Sequence, residues 1–105
     1  MGQSVAAPTA SKVGLDLIGA IATKRRVAFT YHWQRRVGEP QCLGFTFTDK
    51  ESLRAYLPRG GGRTTEPLFT VAEMTDVVVL DEHFTRPGPN YKKGDSAMKT
   101  ILAEL

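Results

Sequence analysis

Arginine and tyrosine share one predicted strand face between Leu53 and Leu57. In Leu53-Arg54-Ala55-Tyr56-Leu57 apolar and polar residues alternate strictly, which is the period of a half-buried strand. If the apolar side chains face the core, Arg54 and Tyr56 project together from the opposite face. A guanidinium group binds phosphate with parallel hydrogen bonds, and a tyrosine ring can stack on a planar group. The pair predicts a binding face for a planar anion, with Arg54 as the principal contact, although it could also simply cover a solvated sheet.

Further cationic and aromatic residues surround this strand in the sequence. Residues 1–65 hold ten Lys/Arg and four Asp/Glu, a net +6, whereas residues 66–105 hold four and seven, a net −3. This asymmetry can give a basic surface that attracts a polyanion, or the two halves can neutralise each other across the fold. The candidate ligand-binding residues are Tyr31, Arg35, Arg36, Arg54, Tyr56 and Arg63.

Residue types that carry catalysis are sparse and poorly spaced. The two histidines, His32 and His83, have no cysteine or acidic residue at metal-ligand spacing. Asp81 and Glu82 are adjacent, and neighbours on a strand point to opposite faces, so they cannot share a reaction centre. No serine lies in the context of a nucleophile elbow. The sequence therefore predicts no enzyme, no metal and no cofactor.

Length and composition favour one small intracellular domain. The 105 residues suffice for a single core, and we expect residues 1–10 to be a flexible tail and residues 11–105 the domain. No apolar run approaches the roughly 20 residues that span a bilayer, so no membrane partner is expected. Residues 1–10 also lack the pattern of a signal peptide. Cys42, the one cysteine, cannot form an internal disulfide, which favours a reducing, cytoplasmic setting.

Two helices are predicted, one at each end of the domain. Ser11 is the expected N-cap of the first, and a second is expected to start at Gly94-Asp95. In the first helix we expect the apolar stripe to pack on the core: Leu15, Ile18 and Ala22, with Leu17 and Ile21 beside them. In the second, the stripe is Met98, Ile101, Leu102 and Leu105.

Between the helices the sequence predicts short strands. Alternating residues indicate strands over 27–33, 41–48 and 53–57, with turns at 34–36 and 49–50, and Val77–Leu80 has the length of a buried strand. Hairpins without helical crossovers favour a small antiparallel barrel or a strongly bent sheet. Gly60–Thr65 contains nothing to bury and predicts a mobile loop. The expected core comprises Phe29 or the strand neighbours of Tyr31, together with Leu43, Phe45, Leu53, Ala55 and Val78.

Several of these segments, in this order, resemble a WYL domain. The resemblance covers most of residues 15–105. It is carried by Lys24–Tyr31, Arg36–Pro40, Leu43-Gly44, Leu53–Tyr56, Leu68–Met74, Leu80–Phe84, a proline (Pro87 or Pro89) ahead of Tyr91, Gly94-Asp95 and Met98. Of the Trp-Tyr-Leu signature that names the family, Leu53 is present. The resemblance implies an Sm-like, SH3-type barrel that acts as a ligand- or nucleic-acid-sensing module, with no catalytic activity.

Two hypotheses about function follow from the residues. The first is a regulatory binding module for single-stranded nucleic acid or a nucleotide-like anion, because aromatic stacking and arginine–phosphate contacts suit both ligands. The second is a protein-interaction or oligomerisation module, because small barrels with open edges can pair strands and such a barrel could assemble into dimers or rings. Neutralisation of Arg36 and Arg54 by acidic residues (Glu39, Glu51 or Asp81) would favour the second. Convergence of both arginines on a cleft beside Tyr31 and Tyr56 would favour the first.

Overall fold

The computed structural model describes residues 9–58 and 65–105, and these form a mainly antiparallel β structure with one α-helix. The elements are α1 (Lys12–Thr23), β1 (Arg25–Tyr31), β2 (Gln34–Thr46), β3 (Glu51–Tyr56), β4 (Leu68–Thr70), a short 3₁₀ helix (Val71–Glu73), β5 (Met74–His83) and β6 (Met98–Glu104). No helix within these two ranges is long and apolar enough to cross a membrane.

The central strand of the sheet is β2, which is 13 residues long. The hydrogen-bonded order is β4-β3-β2-β1-β5, and β6 also pairs with β2. β1 pairs with residues 34–38 of β2, whereas β3 and β6 pair with its later residues. All five pairings are antiparallel, which confirms the predicted mainly antiparallel β structure. The described strands form an open sheet with β4 and β5 at the ends of the order.

The core lies between α1 and the inner face of the sheet. Phe69 of β4 packs edge-on against Phe29 and Tyr31 of β1, at centroid distances of 4.9 and 4.8 Å. The expected burial of Leu43, Leu53 and Ala55 is confirmed, while Phe45 is only partly buried. Val78 was expected inside but is 48% exposed. β5 pairs only with β1 among the described strands, and it turns Val77 and Val79, rather than Val78, toward the core.

The N-terminal helix is confirmed, but it packs through a different stripe. The Ser11 hydroxyl accepts a hydrogen bond from the Gly14 N–H at 3.0 Å and caps the helix as predicted. Leu17, Ala20 and Ile21 are buried, whereas Leu15 is 61% exposed. The expected packing of Leu15 and Ala22 is therefore wrong, because the neighbouring apolar stripe faces the sheet and leaves Ala22 in solvent.

The predicted C-terminal helix is wrong, because residues 98–104 form β6. This segment runs antiparallel to β2, with Leu43 opposite Ala103 and Phe45 opposite Thr100. Seven residues make a marginal helix on their own, whereas the open edge of β2 supplies hydrogen-bond partners for the whole segment. Two register shifts in the pairing accommodate apolar residues that were spaced as for a helix.

The first hairpin turn lies two residues before its predicted position. His32 and Trp33 form the turn, with φ of 49° and 69°, and Gln34 already belongs to β2 opposite Tyr31.

The mobility predicted for residues 1–8 and 60–64 concerns residues outside the described ranges. Within those ranges, Ala10 packs against the core and the Thr65 carbonyl accepts a hydrogen bond from the Leu57 N–H at 2.7 Å.

Candidate functional site

Arg54 projects from β3 on the non-core face, as the alternation predicts, but it meets an acidic partner there. Its Nε and Nη2 donate to the two carboxylate oxygens of Asp95 at 2.9 and 3.2 Å, and Nη1 donates to the Glu66 carbonyl at 3.1 Å. The side chains are 26% and 11% exposed. The guanidinium hydrogen bond holds the pKa of the Asp95 carboxyl below its ordinary value, against the opposite effect of burial. The structure therefore gives Arg54 a partner within the chain, in the wall of a cavity of about 540 Å³ that Lys92 and Lys93 also line.

The Arg54–Asp95 pair belongs to a polar cluster that fastens the segment between β5 and β6 to the sheet. The buried Gln41 side chain donates to Glu66 at 2.9 Å and accepts from the Gly88 N–H at 2.5 Å. The other Glu66 carboxylate oxygen accepts from the Asn90 N–H at 2.7 Å. These contacts pair the buried polar atoms with one another, and they indicate a structural role for the cluster.

Cys42 lies in the same part of the sheet, opposite Arg54 on β3 and Glu104 on β6. Burial, together with the nearby carboxylates of Asp95 and Glu104, raises the pKa of its thiol to about 12. A thiol that stays protonated at neutral pH is a poor nucleophile. Cys42 is therefore a buried, unreactive residue on the same face of the sheet as Arg54. Among the described residues no group of three or more His, Cys, Asp or Glu side chains could hold a metal ion.

The two candidate tyrosines are not a pair of open rings. Tyr31 is buried at the rim of the core, and its hydroxyl accepts a hydrogen bond from the Thr70 N–H at 3.1 Å. Its ring stacks on His32, with centroids 4.1 Å apart. Tyr56 is half-buried on β3, opposite Glu39 of β2. The structure thus separates Tyr31, in the core, from Tyr56 and Arg54 on the other face.

Arg36 is the cation that the fold places beside aromatic rings. It lies opposite the buried Phe29 in the β1–β2 pairing, so its side chain shares the inner face of the sheet. Its guanidinium carbon is 5.6 Å from the ring centroids of both Tyr31 and Phe69, a cation–π distance. Nη2 donates to the Tyr31 carbonyl at 3.2 Å, while Nε is buried without a hydrogen-bond partner.

No carboxylate neutralises Arg36. Every Asp and Glu of the chain lies within the described ranges, and none comes within 4.0 Å of its guanidinium. Two of the acids that could have paired with it contact other arginines: Glu39 accepts from Arg26 at 3.0 Å, and Asp81 from Arg25 at 2.6 Å. Glu51 instead accepts from the Ser11 N–H. Arg36 therefore has no carboxylate partner within this chain.

A cavity of about 610 Å³ adjoins this residue. Gln34, Arg35 and Arg36 line one part of it, and Leu57 and Pro58 contribute apolar surface. Arg35 is exposed and donates to the Asp76 carbonyl and the Thr30 hydroxyl, at 2.7 and 3.2 Å, and it has no carboxylate partner either. The predicted site residue Arg63 lies outside the described ranges. The cavity has the size of a small-molecule site. Its wall holds the two arginines without a carboxylate partner and also Arg26, which pairs with Glu39 and Glu82 of the same wall.

Sequence reasoning missed two features of this region. The alternation over residues 27–33 predicts Trp33 as a strand residue, but it lies in the turn and is 99% exposed. Left-handed backbone is costly for bulky residues, and Asn-Gly is favoured in such two-residue turns. The signal available in the sequence was a lone tryptophan between a histidine and a polar run. The partnership of Arg54 with Asp95 was also missed, because 41 residues separate them.

Comparisons of the chain with protein-family models, with curated proteins and with solved structures gave no match.

Proposed function

We propose that residues 11–105 form a WYL-like binding module for a nucleotide-like anion or a single-stranded nucleic acid, with Arg36 as the principal anion contact. The observation that carries the proposal is the unneutralised Arg36 beside Tyr31 and Phe69, at the edge of a cavity. Binding without catalysis, in a reducing cytoplasmic setting, belongs to the same proposal. Arg35 is its second cation, and Arg63 remains a predicted contact from the sequence.

Physical chemistry favours an anionic ligand at Arg36. A charged group that is partly withdrawn from water without a counter-ion is destabilised, and a buried donor without an acceptor costs about 1–3 kcal/mol. Nη1 donates to no described residue, so a phosphate oxygen could accept its hydrogen bond and offset the charge. The aromatic rings beneath the guanidinium hold it in place before the ligand arrives, which lowers the entropy lost on binding.

The order of the strands supports the barrel that the resemblance implies. β2 is long enough to pair with β1 along its first half and with β3 and β6 along its second, as a strand shared by two halves of a barrel would. A 3₁₀ turn connects the short β4 directly to β5, the strands at the two ends of the order. We propose that this sheet curves into an Sm-like, SH3-type barrel with α1 packed on its core.

Fluorescence polarisation with labelled nucleotides and short single- and double-stranded DNA and RNA tests the proposal at two salt concentrations. Arg36→Ala should weaken binding about ten- to hundredfold, the loss of a charge-assisted hydrogen bond. Arg36→Lys should restore only part of it, since a point charge cannot replace the planar fork. Arg86→Ala is the matched control, because Arg86 is exposed and makes no hydrogen bond to the described residues. Equal losses in the Arg36 and Arg86 variants would mean a diffuse charge effect and would refute a site at Arg36.

A second proposal, a protein-interaction module that self-associates, is supported by Arg54 and by β5. Asp95 neutralises Arg54, and β5 has one unpaired edge in the described sheet, with Val78 largely exposed on it. An unpaired edge is a template for pairing with another strand. Sedimentation velocity over a hundredfold range of protein concentration tests this proposal. A concentration-dependent dimer that Val78→Lys abolishes would support it, and a monomer throughout would exclude it.

A further inference from the structure

The tip of the β1–β2 hairpin presents a tryptophan that the fold does not use. Trp33 is 99% exposed and contributes no surface to the core. Both turn residues, His32 and Trp33, have positive φ, a conformation in which a bulky side chain is unfavourable. Trp33 therefore carries the cost of a left-handed backbone without any packing contact among the described residues that offsets it.

The tip is adjacent to the proposed anion site. Tyr31 and Gln34 close the turn, and the Tyr31 carbonyl accepts the hydrogen bond from Arg36. Arg36 is the third residue after Trp33, so their Cα atoms are at most about 11 Å apart. Gln34 and Arg35, which follow Trp33 directly, line the cavity. A ligand anchored by its phosphate on Arg36 can therefore extend past the indole ring.

We infer that Trp33 is a stacking residue for a second base, so that the ligand of this site is a single strand of at least two nucleotides. The inference rests on the proposed function, because it needs an anion on Arg36. Trp33 shortly precedes two arginines that lack carboxylate partners, Arg35 and Arg36, which point to opposite faces of β2. An exposed aromatic ring followed by such cations suits alternating bases and phosphates. An apolar peptide would leave both charges unpaired. A base stacked on Trp33 removes the exposed surface of the indole ring from water.

Trp33 is the only tryptophan, so its fluorescence reports the contact directly. The full-length chain is titrated with thymidine monophosphate, with the oligonucleotides dT2, dT4 and dT8, and with phosphatidylglycerol vesicles. In the unsubstituted protein, dT4 should quench Trp33 and bind at least tenfold more tightly than the monophosphate. By polarisation with labelled probes, Trp33→Ala should lose most of this length advantage and bind the monophosphate within about twofold of the unsubstituted protein. Trp33→Phe should keep part of the advantage.

The outcomes distinguish base stacking on Trp33 from anion binding at Arg36. If Trp33→Ala keeps the length advantage, or dT4 leaves the fluorescence unchanged, the stacking role is overturned while Arg36-dependent binding of the monophosphate still stands. A blue shift of the Trp33 emission with the vesicles, and none with dT4, would identify a membrane surface as the ligand of Trp33. That result would also overturn the stacking role. If neither nucleotide probe binds the unsubstituted protein, the proposed function and this inference fall together.

Discussion

Arg54→Ala removes one partner of a largely buried ion pair. Its guanidinium makes three hydrogen bonds, two to the Asp95 carboxylate and one to the Glu66 carbonyl. Exposed ion pairs contribute about 0–1 kcal/mol, whereas breaking a fully buried pair costs about 3–5 kcal/mol. Because Arg54 is one quarter exposed and Asp95 largely buried, we expect an intermediate loss of about 2–3 kcal/mol in the free energy of unfolding.

Urea denaturation followed by far-ultraviolet circular dichroism measures this loss. Trp33 fluorescence is unsuitable, because a side chain that is 99% exposed in the fold changes its environment little on unfolding. Arg54→Lys should recover roughly half of the loss, since it restores the charge but not the two parallel hydrogen bonds. A double-mutant cycle with Asp95→Ala should give a coupling energy of about 1–2 kcal/mol, and Arg86→Ala should change stability by less than about 0.5 kcal/mol.

The contribution of the pair should also depend on pH. The folded-state pKa of Asp95 is lowered, so the stabilisation is fully present above the ordinary aspartate pKa of about 3.9 and is lost as the pH falls below it. The difference in stability between the unsubstituted protein and Asp95→Asn should therefore shrink below about pH 3.9. If Arg54→Ala costs no more than Arg86→Ala at neutral pH, the pair is not structural. Such a result would instead support the sequence-based prediction that Arg54 contacts the ligand.

Three further expectations concern the core and the sheet. Leu53→Ala should cost about 2–5 kcal/mol in the free energy of unfolding, and the exposed Leu15→Ala under about 1 kcal/mol, both measured by urea denaturation. Gly44→Ala should destabilise by about 1–3 kcal/mol or more, because a Cβ atom there would overlap the backbone of β6, whereas Gly19→Ala has open space and should stabilise by about 0.5–1 kcal/mol. Cys42 should react with a thiol reagent at pH 8 many times more slowly in the folded than in the urea-unfolded protein, and equal rates would contradict its burial.

The sequence predicted correctly those elements that depend only on residues close together in the chain. The alternation in Leu53–Leu57 and the N-cap at Ser11 depend on near neighbours in sequence, and both are confirmed. The same residues 98–104 satisfy a short helical stripe and a strand, and the choice was made by an edge of β2 that lies more than fifty residues earlier. Periodicity cannot contain that information, since it describes the segment alone.

The sequence predicted which residue types belong to the candidate site, but not which arginine is free of a carboxylate partner. Arg36 and Tyr31 were both identified, and the structure brings them together. Arg54 and Tyr56 were also identified, but Arg54 forms an ion pair with Asp95, which lies in the segment before β6. Which of two similar arginines is neutralised depends on long-range contacts. Residue type and strand phase leave that question open, and only the tertiary structure answers it.

The pairing of β6 with β2 has a consequence during synthesis of the chain. Residues 42–46 of β2 leave the ribosome 52 residues before Met98, which follows from the register in which Thr46 pairs with Met98. At roughly 5–20 residues per second this interval is about 3–10 s, during which the edge that β6 will cover has no partner from this chain. A nascent chain in this interval carries a strand edge beside the apolar Leu43, so it can bind a chaperone or a second nascent chain. Ribosomes that stall between residues 46 and 98 should therefore release species more prone to association than the finished protein.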